Sequence, residues 1–196
     1  MTETTKILFA ALAAYIVGSI PFSYIISKIV KKTDITKVGS GNPGATNVYR
    51  SYGYKLGLPV LLLDMAKGYI PAYMASMSHI NYVLVPIVVL AVILGHDFSP
   101  FLKFKGGKGV AASVGIFLFL APGATILVIV IFTAITMIFK FVSFGSIMAS
   151  LSFPFIAYFK GDRDYFWLAA IVAGLIIFQH RNNLKRLWHG SEKRSV

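Results

Sequence analysis

Most of this chain consists of long apolar segments that alternate with short basic, glycine-rich stretches. A helix needs about 20 apolar residues to cross a bilayer. The composition agrees with a membrane protein, because 57% of the residues are hydrophobic and only 13% are charged, whereas soluble domains have about 45–50% and about 25%. The sequence therefore predicts an all-α fold, a polytopic bundle of transmembrane helices in a single domain over residues 1–196.

Seven segments are apolar enough to be membrane helices. They are Ile7–Val30, Leu56–Met77, Tyr82–Gly95, Val110–Leu120, Gly123–Lys140, Ser143–Phe159 and Tyr165–Gln179. The fourth and fifth segments meet at "APGA", where a Pro–Gly pair is a strong turn signal. This part of the chain is either two helices that turn at Pro122 or one long helix that is kinked there.

The lysines and arginines predict how these segments are oriented, because cytoplasmic loops are enriched in both residues. Three stretches are basic: residues 31–55, residues 103–108 and the tail from Arg181 onward. If all three lie on one side, an even number of crossings separates Lys108 from Arg181, which favours two helices at Pro122. The prediction is seven crossings, with the N-terminus outside and the C-terminus in the cytoplasm. Five crossings, with one segment lying in the membrane interface, satisfy the same condition.

Composition also excludes several kinds of chemistry. The chain has no cysteine, so disulfides, iron–sulfur clusters and thiolate catalysis are excluded. Its four histidines do not form HxxxH or HExxH motifs, and we expect neither a metal ion nor another cofactor. The formal net charge of +12 lies beside apolar segments, which favours membrane lipids or an anionic substrate over nucleic acid.

The first polar motif is "VGSGNPGATNVYR", from Val38 to Arg50. Its glycines permit positive φ angles and close approach of the backbone to a ligand, and successive amides in such a loop can bind an anion. The hydroxyl and amide side chains add donors, and the planar guanidinium of Arg50 suits phosphate. A flexible turn followed by a helix cap is the alternative. The residues predicted to bind substrate are Gly39, Gly41, Asn42, Gly44, Thr46, Asn47 and Arg50, and Ser40 is a predicted catalytic residue.

The second polar motif, "GHDFSPFLKFKGGKGVAAS", ends in a glycine-rich turn just before a predicted helix. The amides and dipole at the start of a helix attract anions, and Lys108 lies beside them in the sequence. We therefore expect Lys108 to bind phosphate, with Gly106, Gly107 and Gly109 shaping its surroundings, while Lys103 and Lys105 reach lipid headgroups. The alternative is a simple basic anchor on the cytoplasmic side.

The third polar motif is "QHRNNLKRLWHGSE". Helical spacing places His180 and Asn183 on one face, together with Leu184 and Leu187. The opposite face has Arg181, Lys185 and Trp188, as expected of an interfacial helix. His180 and Asn183 are therefore candidate catalytic residues, together with Lys108 of the second motif, and Glu192 is interpreted as a structural residue that pairs with a neighbouring base.

Two further features lie inside predicted membrane helices. Asp64 and Lys67 are three residues apart, and an unpaired charge there costs several kcal/mol, so we expect them to pair or to find polar partners. Ser143 and Ser146 share a helical face, where they either pack against another helix or reach a ligand hydroxyl. Ser143 is included among the candidate binding residues.

By this topology the three polar motifs lie on the cytoplasmic side, where they could meet. Three segments, "GSGNPGATNVYR", "GHDFSPFLKFKGGKGVA" and "HRNNLKRLWHGSE", resemble the signature motifs of the bacterial acyl-phosphate-dependent glycerol-3-phosphate acyltransferases, in the family's order. "LLDMAKGYIP" and "FVSFGSI" also resemble that family's segments between the motifs. The resemblance implies transfer of a fatty acyl group from acyl phosphate to the sn-1 hydroxyl of glycerol 3-phosphate, at the bacterial cytoplasmic membrane.

The resemblance also implies roles for individual residues. Ser40 and the neighbouring loop amides would surround the acyl phosphate, and Lys108 would meet phosphate in the second motif. Arg50, His180 and Asn183 would bind glycerol 3-phosphate. The HxxxxD dyad of other glycerol-phosphate acyltransferases is absent, because Phe101 stands five positions after His96. The proton of the acceptor hydroxyl goes either to His180 or, as the resemblance implies, to the phosphate of the donor.

Overall fold

The computed structural model describes residues 2–78, 80 and 83–194, and all regular secondary structure in these residues is helical. The α-helices, in chain order, are α1 (Glu3–Ser19), α2 (Phe22–Lys31), α3 (Ala45–Tyr52), α4 (Tyr54–Met77), α5 (Leu84–Asp97), α6 (Val110–Leu120), α7 (Pro122–Phe139), α8 (Val142–Lys160), α9 (Phe166–Gln179) and α10 (Arg181–Trp188). Three short 3-10 turns lie at Ile35–Lys37, Pro100–Leu102 and Arg163–Tyr165. The prediction of an all-α fold is confirmed.

Four stretches of the described residues are long and apolar enough to cross a membrane. They are Glu3–Lys31, Leu84–Leu102, Pro122–Phe139 and Val142–Lys160. The shorter helix α6 is also apolar. Each of the seven predicted segments coincides with at least one helix, although Tyr82, the predicted start of the third, lies outside the described residues. The number of crossings and the orientation of the termini stay predictions.

Two prolines decide where helices begin and end. The predicted helix Ile7–Val30 is divided, because α1 ends at Ser19 and α2 begins at Phe22. Pro21 lacks an amide hydrogen and restricts the residue before it, which favours a break at this point. At "APGA", Ala121 leaves the helical conformation with φ −145° and ψ 65°, and Pro122 is the first residue of α7. The segment is therefore two helices, and a single kinked helix is excluded.

The chain divides into two compact units, Met1–Ile116 and Phe117–Val196, which we call unit 1 and unit 2. The prediction of a single domain is not tested by this division. In unit 1, α1 packs against α5, and α4 packs against α3 and α5. Glycines allow this close packing: a Cβ at Gly18 would overlap the carbonyl of Val92, and one at Gly95 would overlap that of Tyr15. Small residues let helix backbones approach each other in this way in membrane proteins.

A small apolar core in unit 1 supports the first motif. Ile35, Val48 and Val60 are fully buried in it. They come from the 3-10 turn before the motif, from α3 and from α4. Partly buried apolar residues of the motif and its neighbours pack against them, including Val38 and Ala45. The glycine-rich loop is therefore attached at both ends to packed structure.

In unit 2, α8 lies against both α7 and α9, and α10 contacts α8 and α9. The rings of Phe117 and Phe153 meet with centroids 4.5 Å apart. A Cβ at Gly145 of α8 would overlap the hydroxyl of Thr136 in α7, so these two helices also approach closely. This packing supports the first turn of α8, where Ser143 lies, and the third motif on α10.

Candidate active site

Asn47 organises the loop of the first motif from its buried position in α3. Its side-chain carbonyl accepts a hydrogen bond from the amide of Ser40 at 2.9 Å. Its amide group donates to the carbonyls of Val38 at 2.9 Å and Ile35 at 3.2 Å. One side chain thus binds the loop at three points and fixes the position of Ser40.

The backbone of this loop needs glycine at two positions. Gly39 and Gly41 have φ angles of 64° and 72°, in the left-handed region that other residues rarely adopt. A Cβ at Gly39 would also overlap the side chain of Asn47. Between them, Ser40 is exposed to solvent at the tip of the loop. The positive φ angle expected of the motif's glycines is therefore found at Gly39 and Gly41, whereas Gly44 has a φ of −136°.

Several amides of the loop already have partners within it. The amide of Gly41 donates to Val38, and that of Gly44 donates to Asn42. By contrast, Ala45 and Thr46, in the first turn of α3, have no hydrogen-bond acceptor for their amides within the described part of the chain. Gly44, the N-cap of α3, has no side chain that could cap them. The amide donors of this motif that have no acceptor in the loop therefore lie at the start of α3.

The other predicted binding residues of the first motif lie just before α3 or on it. Thr46 is exposed, and Asn42, Gly44 and Arg50 are half-buried. Asp34 caps the 3-10 turn before the motif, and its carboxylate accepts hydrogen bonds from the amide and hydroxyl of Thr36. These bonds hold the pKa of Asp34 below its ordinary value. The chain therefore enters the loop through a locally ordered turn and leaves it through α3.

The glycines of the second motif pack tightly against the end of α5. The amide of Gly106 donates to the carbonyl of Asp97 at 3.0 Å, and that of Gly107 donates to the carbonyl of His96 at 2.9 Å. A Cβ at Gly107 would overlap the ring of His96. Gly109 has a φ of 74° directly before α6. These glycines place the half-buried Lys108 just before the first turn of α6.

The first and second motifs lie together in unit 1. Pro43 from the first and Gly107 from the second line the same small cavity, of about 10 Å³. The cavity is also lined by Asp64, Lys67 and His96. The predicted pair of Asp64 and Lys67 is present, with 2.9 Å between the carboxylate and the ammonium group.

A separate polar cluster in unit 2 is centred on Glu192, which follows α10. Its carboxylate accepts hydrogen bonds from the Ser143 hydroxyl at 2.7 Å and from the Asn183 side-chain amide at 2.6 Å. Its second oxygen accepts one from Nε of Arg186 at 2.6 Å. Burial raises the pKa of Glu192, but these three hydrogen bonds and the charge of Arg186 outweigh burial and hold the pKa below its ordinary value.

His180 is buried at the junction between α9 and α10. Its Nδ1 lies 2.8 Å from the carbonyl oxygen of Ile176. Because a carbonyl can only accept, Nδ1 must carry the proton, and a neutral ring then has its lone pair on Nε2. Asn183 is buried as predicted, while Leu184 on the predicted inward face is 40% exposed. The predicted outer face is exposed at Arg181, Lys185 and Trp188.

The family model described as Glycerol-3-phosphate acyltransferase matches residues 8–190, which include the first two motifs and the third as far as Gly190. The chain belongs to the glycerol-3-phosphate acyltransferase family. It is similar to the protein of that name from Fusobacterium nucleatum subsp. nucleatum, with 43% identity over 181 residues, covering 92% of this chain and 93% of the relative. The resemblance inferred from the motifs is thus confirmed, and the chain is an acyltransferase.

Solved structures of a family member have the same fold. The crystal structure of PlsY (YgiH), described as an integral membrane glycerol 3-phosphate acyltransferase in its glycerol 3-phosphate form, matches with a TM-score of 0.91 and 38% identity. The match covers 96% of this chain and 95% of that one. Its lysophosphatidic acid form matches with a TM-score of 0.89 and 37% identity over the same shares. This acyltransferase is accordingly an integral membrane protein.

Sequence reasoning missed part of the environment of these candidate residues in the acyltransferase. Glu192 does pair with a base, Arg186, as predicted, but its bonds to Ser143 and Asn183 were not foreseen. His96 was not among the predicted site residues, yet it lies against Gly107 of the second motif. His96 precedes the glycine pair by ten residues, and no helical or strand periodicity at that separation predicts that they are in contact. Among the described residues no group of three or more His, Asp and Glu side chains is arranged to hold a metal ion.

Proposed function

We propose that this acyltransferase moves a fatty acyl group from acyl phosphate to the sn-1 hydroxyl of glycerol 3-phosphate. The products are lysophosphatidic acid and phosphate, in the first acylation step of phospholipid synthesis. One observation supports this above all: the structure matches PlsY, known in a glycerol 3-phosphate form and a lysophosphatidic acid form, over 96% of the chain. Those two molecules are the acceptor and the product of a single acyl transfer.

The chemistry of the first two motifs supports acyl phosphate as the donor. The uncapped amides of Ala45 and Thr46, at the start of α3, and the cation of Lys108 suit a phosphate group. Phosphate leaves readily from an acyl group, so the enzyme needs no strong general acid. The HxxxxD dyad, which would supply a general base, is absent at His96, where the fifth residue is Phe101, so the proton of the acceptor hydroxyl must go to another group.

In the proposed reaction, the acceptor oxygen forms a bond to the acyl carbon, and the bond from that carbon to the phosphate oxygen breaks. The hydroxyl proton passes to the departing phosphate. Lys108 and the amides of the first motif stabilise negative charge on the carbonyl oxygen and the leaving group. Holding hydroxyl and carbonyl in line is worth up to about 7–11 kcal/mol of the barrier in well-oriented systems. The protein therefore contributes mainly position and charge stabilisation.

The third motif would recognise hydroxyl groups of glycerol 3-phosphate. With the proton of His180 on Nδ1, its Nε2 is an acceptor, which suits a hydroxyl donor and not a phosphate oxygen. The amide group of Asn183 donates to Glu192, which leaves its carbonyl oxygen as the acceptor end of the side chain. His180 thus orients the acceptor, and the donor phosphate takes the proton. The role of Arg50 in binding glycerol 3-phosphate stays a prediction.

The decisive experiment offers purified protein glycerol 3-phosphate together with one of three donors: acyl phosphate, an acyl-CoA or an acyl carrier protein thioester. We expect lysophosphatidic acid to form with acyl phosphate alone, with one phosphate released per product. Mass spectrometry of the product and its cleavage pattern report the acylated position. Turnover with a thioester and none with acyl phosphate would refute the proposed donor. Acylation at the second hydroxyl would refute the proposed position.

We also propose seven crossings of the bacterial cytoplasmic membrane, with the N-terminus outside and the three motifs facing the cytoplasm. Because the chain has no cysteine, single cysteines report topology without a background. A cysteine in place of Glu3 or Asp164 should react with an impermeant maleimide added to intact spheroplasts. A cysteine in place of Lys37 or Lys193 should react only after lysis. Reaction of position 37 in intact spheroplasts would refute the proposed orientation.

A further inference from the structure

A group of charged side chains is buried in unit 1, next to the glycine-rich loops of the first and second motifs. The side chains of Asp64 and Lys67 on α4 are only 3% and 4% exposed, and their ion pair measures 2.9 Å. Nζ of Lys67 also donates to the carbonyl of Ile20 at 2.8 Å. Lys67 is also attracted by the carboxylate of Asp97 at the end of α5. The ammonium group therefore connects α4 to the break between α1 and α2.

His96 links this pair to the second motif. Its Nδ1 lies 3.8 Å from the Asp64 carboxylate and has no hydrogen-bond partner among the described residues. The other side of its ring, at Nε2, is packed against the Cα of Gly107 so closely that a Cβ there would overlap it. The backbone carbonyl of His96 accepts the amide of Gly107 at 2.9 Å. The ring thus lies between the buried carboxylate and the glycine turn.

The break after α1 is bound to the same region from the other side. The hydroxyl of Ser99 donates to the carbonyl of Ser19 at 2.6 Å. The carbonyls of Ser19 and Ile20 lie at the C-terminal end of α1, where carbonyl groups have no hydrogen-bond donor within the helix. Ser99 of the second motif and Lys67 of α4 supply those partners. The end of α1, the middle of α4 and the turn after α5 are therefore joined by polar contacts.

The cavity among these groups is too small for a substrate. Its volume of about 10 Å³ is near the minimum that a single water molecule occupies, so a phosphate group does not fit. Lys67 therefore cannot be a phosphate ligand at its observed position. A buried ion pair is also often replaceable by neutral residues without loss of stability, so stability alone is a weak reason for its presence.

We propose that Asp64 and Lys67 are positioning residues of the acyltransferase. Acting through His96, they hold the Gly106–Gly107 turn in place, and with it the adjacent Lys108. The pair does not contact substrate, and its effect reaches the reaction through the geometry of the second motif. The kinetic part of this inference rests on the proposed function, whereas the structural part does not.

The test compares Lys67→Met with the double variant Asp64→Asn/Lys67→Met in the full chain. The single variant leaves a buried carboxylate without its cation, and we expect a clearly lowered Tm. The double variant removes both charges and should recover most of that Tm. Its kcat/KM with acyl phosphate should nevertheless stay at least tenfold below wild type, because the second motif is no longer held. Recovery of both Tm and kcat/KM would show a merely structural pair and overturn the proposal.

A second measurement does not depend on activity. Hydrogen exchange of the segment 99–110 reports the amides of Gly106 and Gly107, which donate to Asp97 and His96. We expect faster exchange in the double variant and wild-type exchange in Val88→Ala. That control removes a buried apolar group from α5, which lowers Tm without touching the charges. Unchanged exchange in the double variant would overturn the proposal, even if the enzyme were shown to use another donor.

Two variants of His96 test whether its ring connects Asp64 to the glycine turn, and neither variant leaves an unpaired charge buried. Glutamine places its amide near the position of Nε2, where the ring meets Gly107, whereas asparagine reaches only as far as Nδ1. We expect His96→Gln to keep most of the exchange protection and of kcat/KM, and His96→Asn to lose both. Equal behaviour of the two variants would refute a role for the ring as the connecting group. If wild type is inactive with acyl phosphate, the proposed function fails, while the exchange results still decide this inference.

Discussion

Replacement of Asn47 by aspartate should destabilise the loop of the first motif, although the side-chain volume hardly changes. The carboxylate can still accept the amide of Ser40, but it loses both donor bonds to Val38 and Ile35. Neutral hydrogen bonds contribute about 0.5–1.5 kcal/mol each, so the loop should lose about 1–3 kcal/mol. This corresponds to a loop that opens about five- to 150-fold more often.

The variant should also acquire a pH dependence with a defined sign. A carboxylate oxygen placed 2.9 Å from the Val38 carbonyl is repelled, which raises the pKa of the new carboxyl group above its ordinary range of about 4. Below that raised pKa the protonated group can donate one bond to the carbonyl and restore part of the loop. The defect should therefore grow as the pH rises through the raised pKa.

Hydrogen exchange of the Ser40 amide and kcat/KM with acyl phosphate, each measured from pH 5 to pH 8, check this reasoning. As the pH rises, exchange of the Ser40 amide should become faster and kcat/KM should fall, while the far-UV circular dichroism spectrum stays helical. The matched control is Asn182→Asp, which makes the same chemical change at an exposed position of α10. Wild-type exchange at Ser40 and wild-type activity of Asn47→Asp at pH 8 would refute the role assigned to Asn47.

Three further changes test other parts of the site. Because hydrogen bonds hold the pKa of Glu192 below its ordinary value of 4.5, Glu192→Gln should lower Tm at neutral pH. The difference from wild type should begin to shrink as the pH falls to about 4.5 and should vanish only below the lowered pKa of the folded protein; a pH-independent difference would contradict this. In Gly107→Ala the new Cβ would lie 2.8 Å from Cε1 of His96, so kcat/KM should fall at least tenfold, whereas Gly123→Ala, whose nearest atom is at 3.5 Å, should stay active. His180→Ala should raise the KM for glycerol 3-phosphate about tenfold through one lost hydrogen bond; a fall in kcat of more than about a thousandfold at saturation would instead make His180 the general base.

The sequence predicted helices well because apolar length and proline positions are local properties. Prolines 21 and 122 show the limit of that reasoning. Both begin a new helix, but only the one beside a glycine gave a recognisable turn signal. Pro59, Pro71 and Pro154 lie inside continuous helices, which membrane proteins tolerate because neighbouring groups satisfy the freed carbonyls. A proline alone therefore does not predict a helix end in such a chain.

The sequence indicated which residue types belong to the site and which close neighbours pair, but not the contacts between segments that are distant in sequence. The pairing of Asp64 with Lys67 followed from their spacing, because an uncompensated charge in a membrane helix is costly. The bonds from Glu192 to Ser143 and Asn183 join an irregular segment to two helices, and no periodicity relates such positions. Asn47 was predicted to bind substrate because amides suit phosphate, whereas its side chain is occupied by the loop itself. Composition indicates donors, and only the fold determines what they bind.

Asn47 and Glu192 both hold irregular segments of the chain in place, but the side chain of Asn47 is neutral and that of Glu192 is charged. Asn47 fixes its loop with a neutral carboxamide, which adds no negative charge where an anion is expected. Glu192 fixes Ser143, Asn183 and Arg186 with a carboxylate, which would repel phosphate but tolerates the hydroxyl groups of an acceptor. Rigid loops matter in both cases, because a site built on mobile loops would have to order them for each turnover. Under the proposed function, the loop held by Asn47 suits the phosphate of the donor, and the cluster held by Glu192 suits the hydroxyl end of glycerol 3-phosphate.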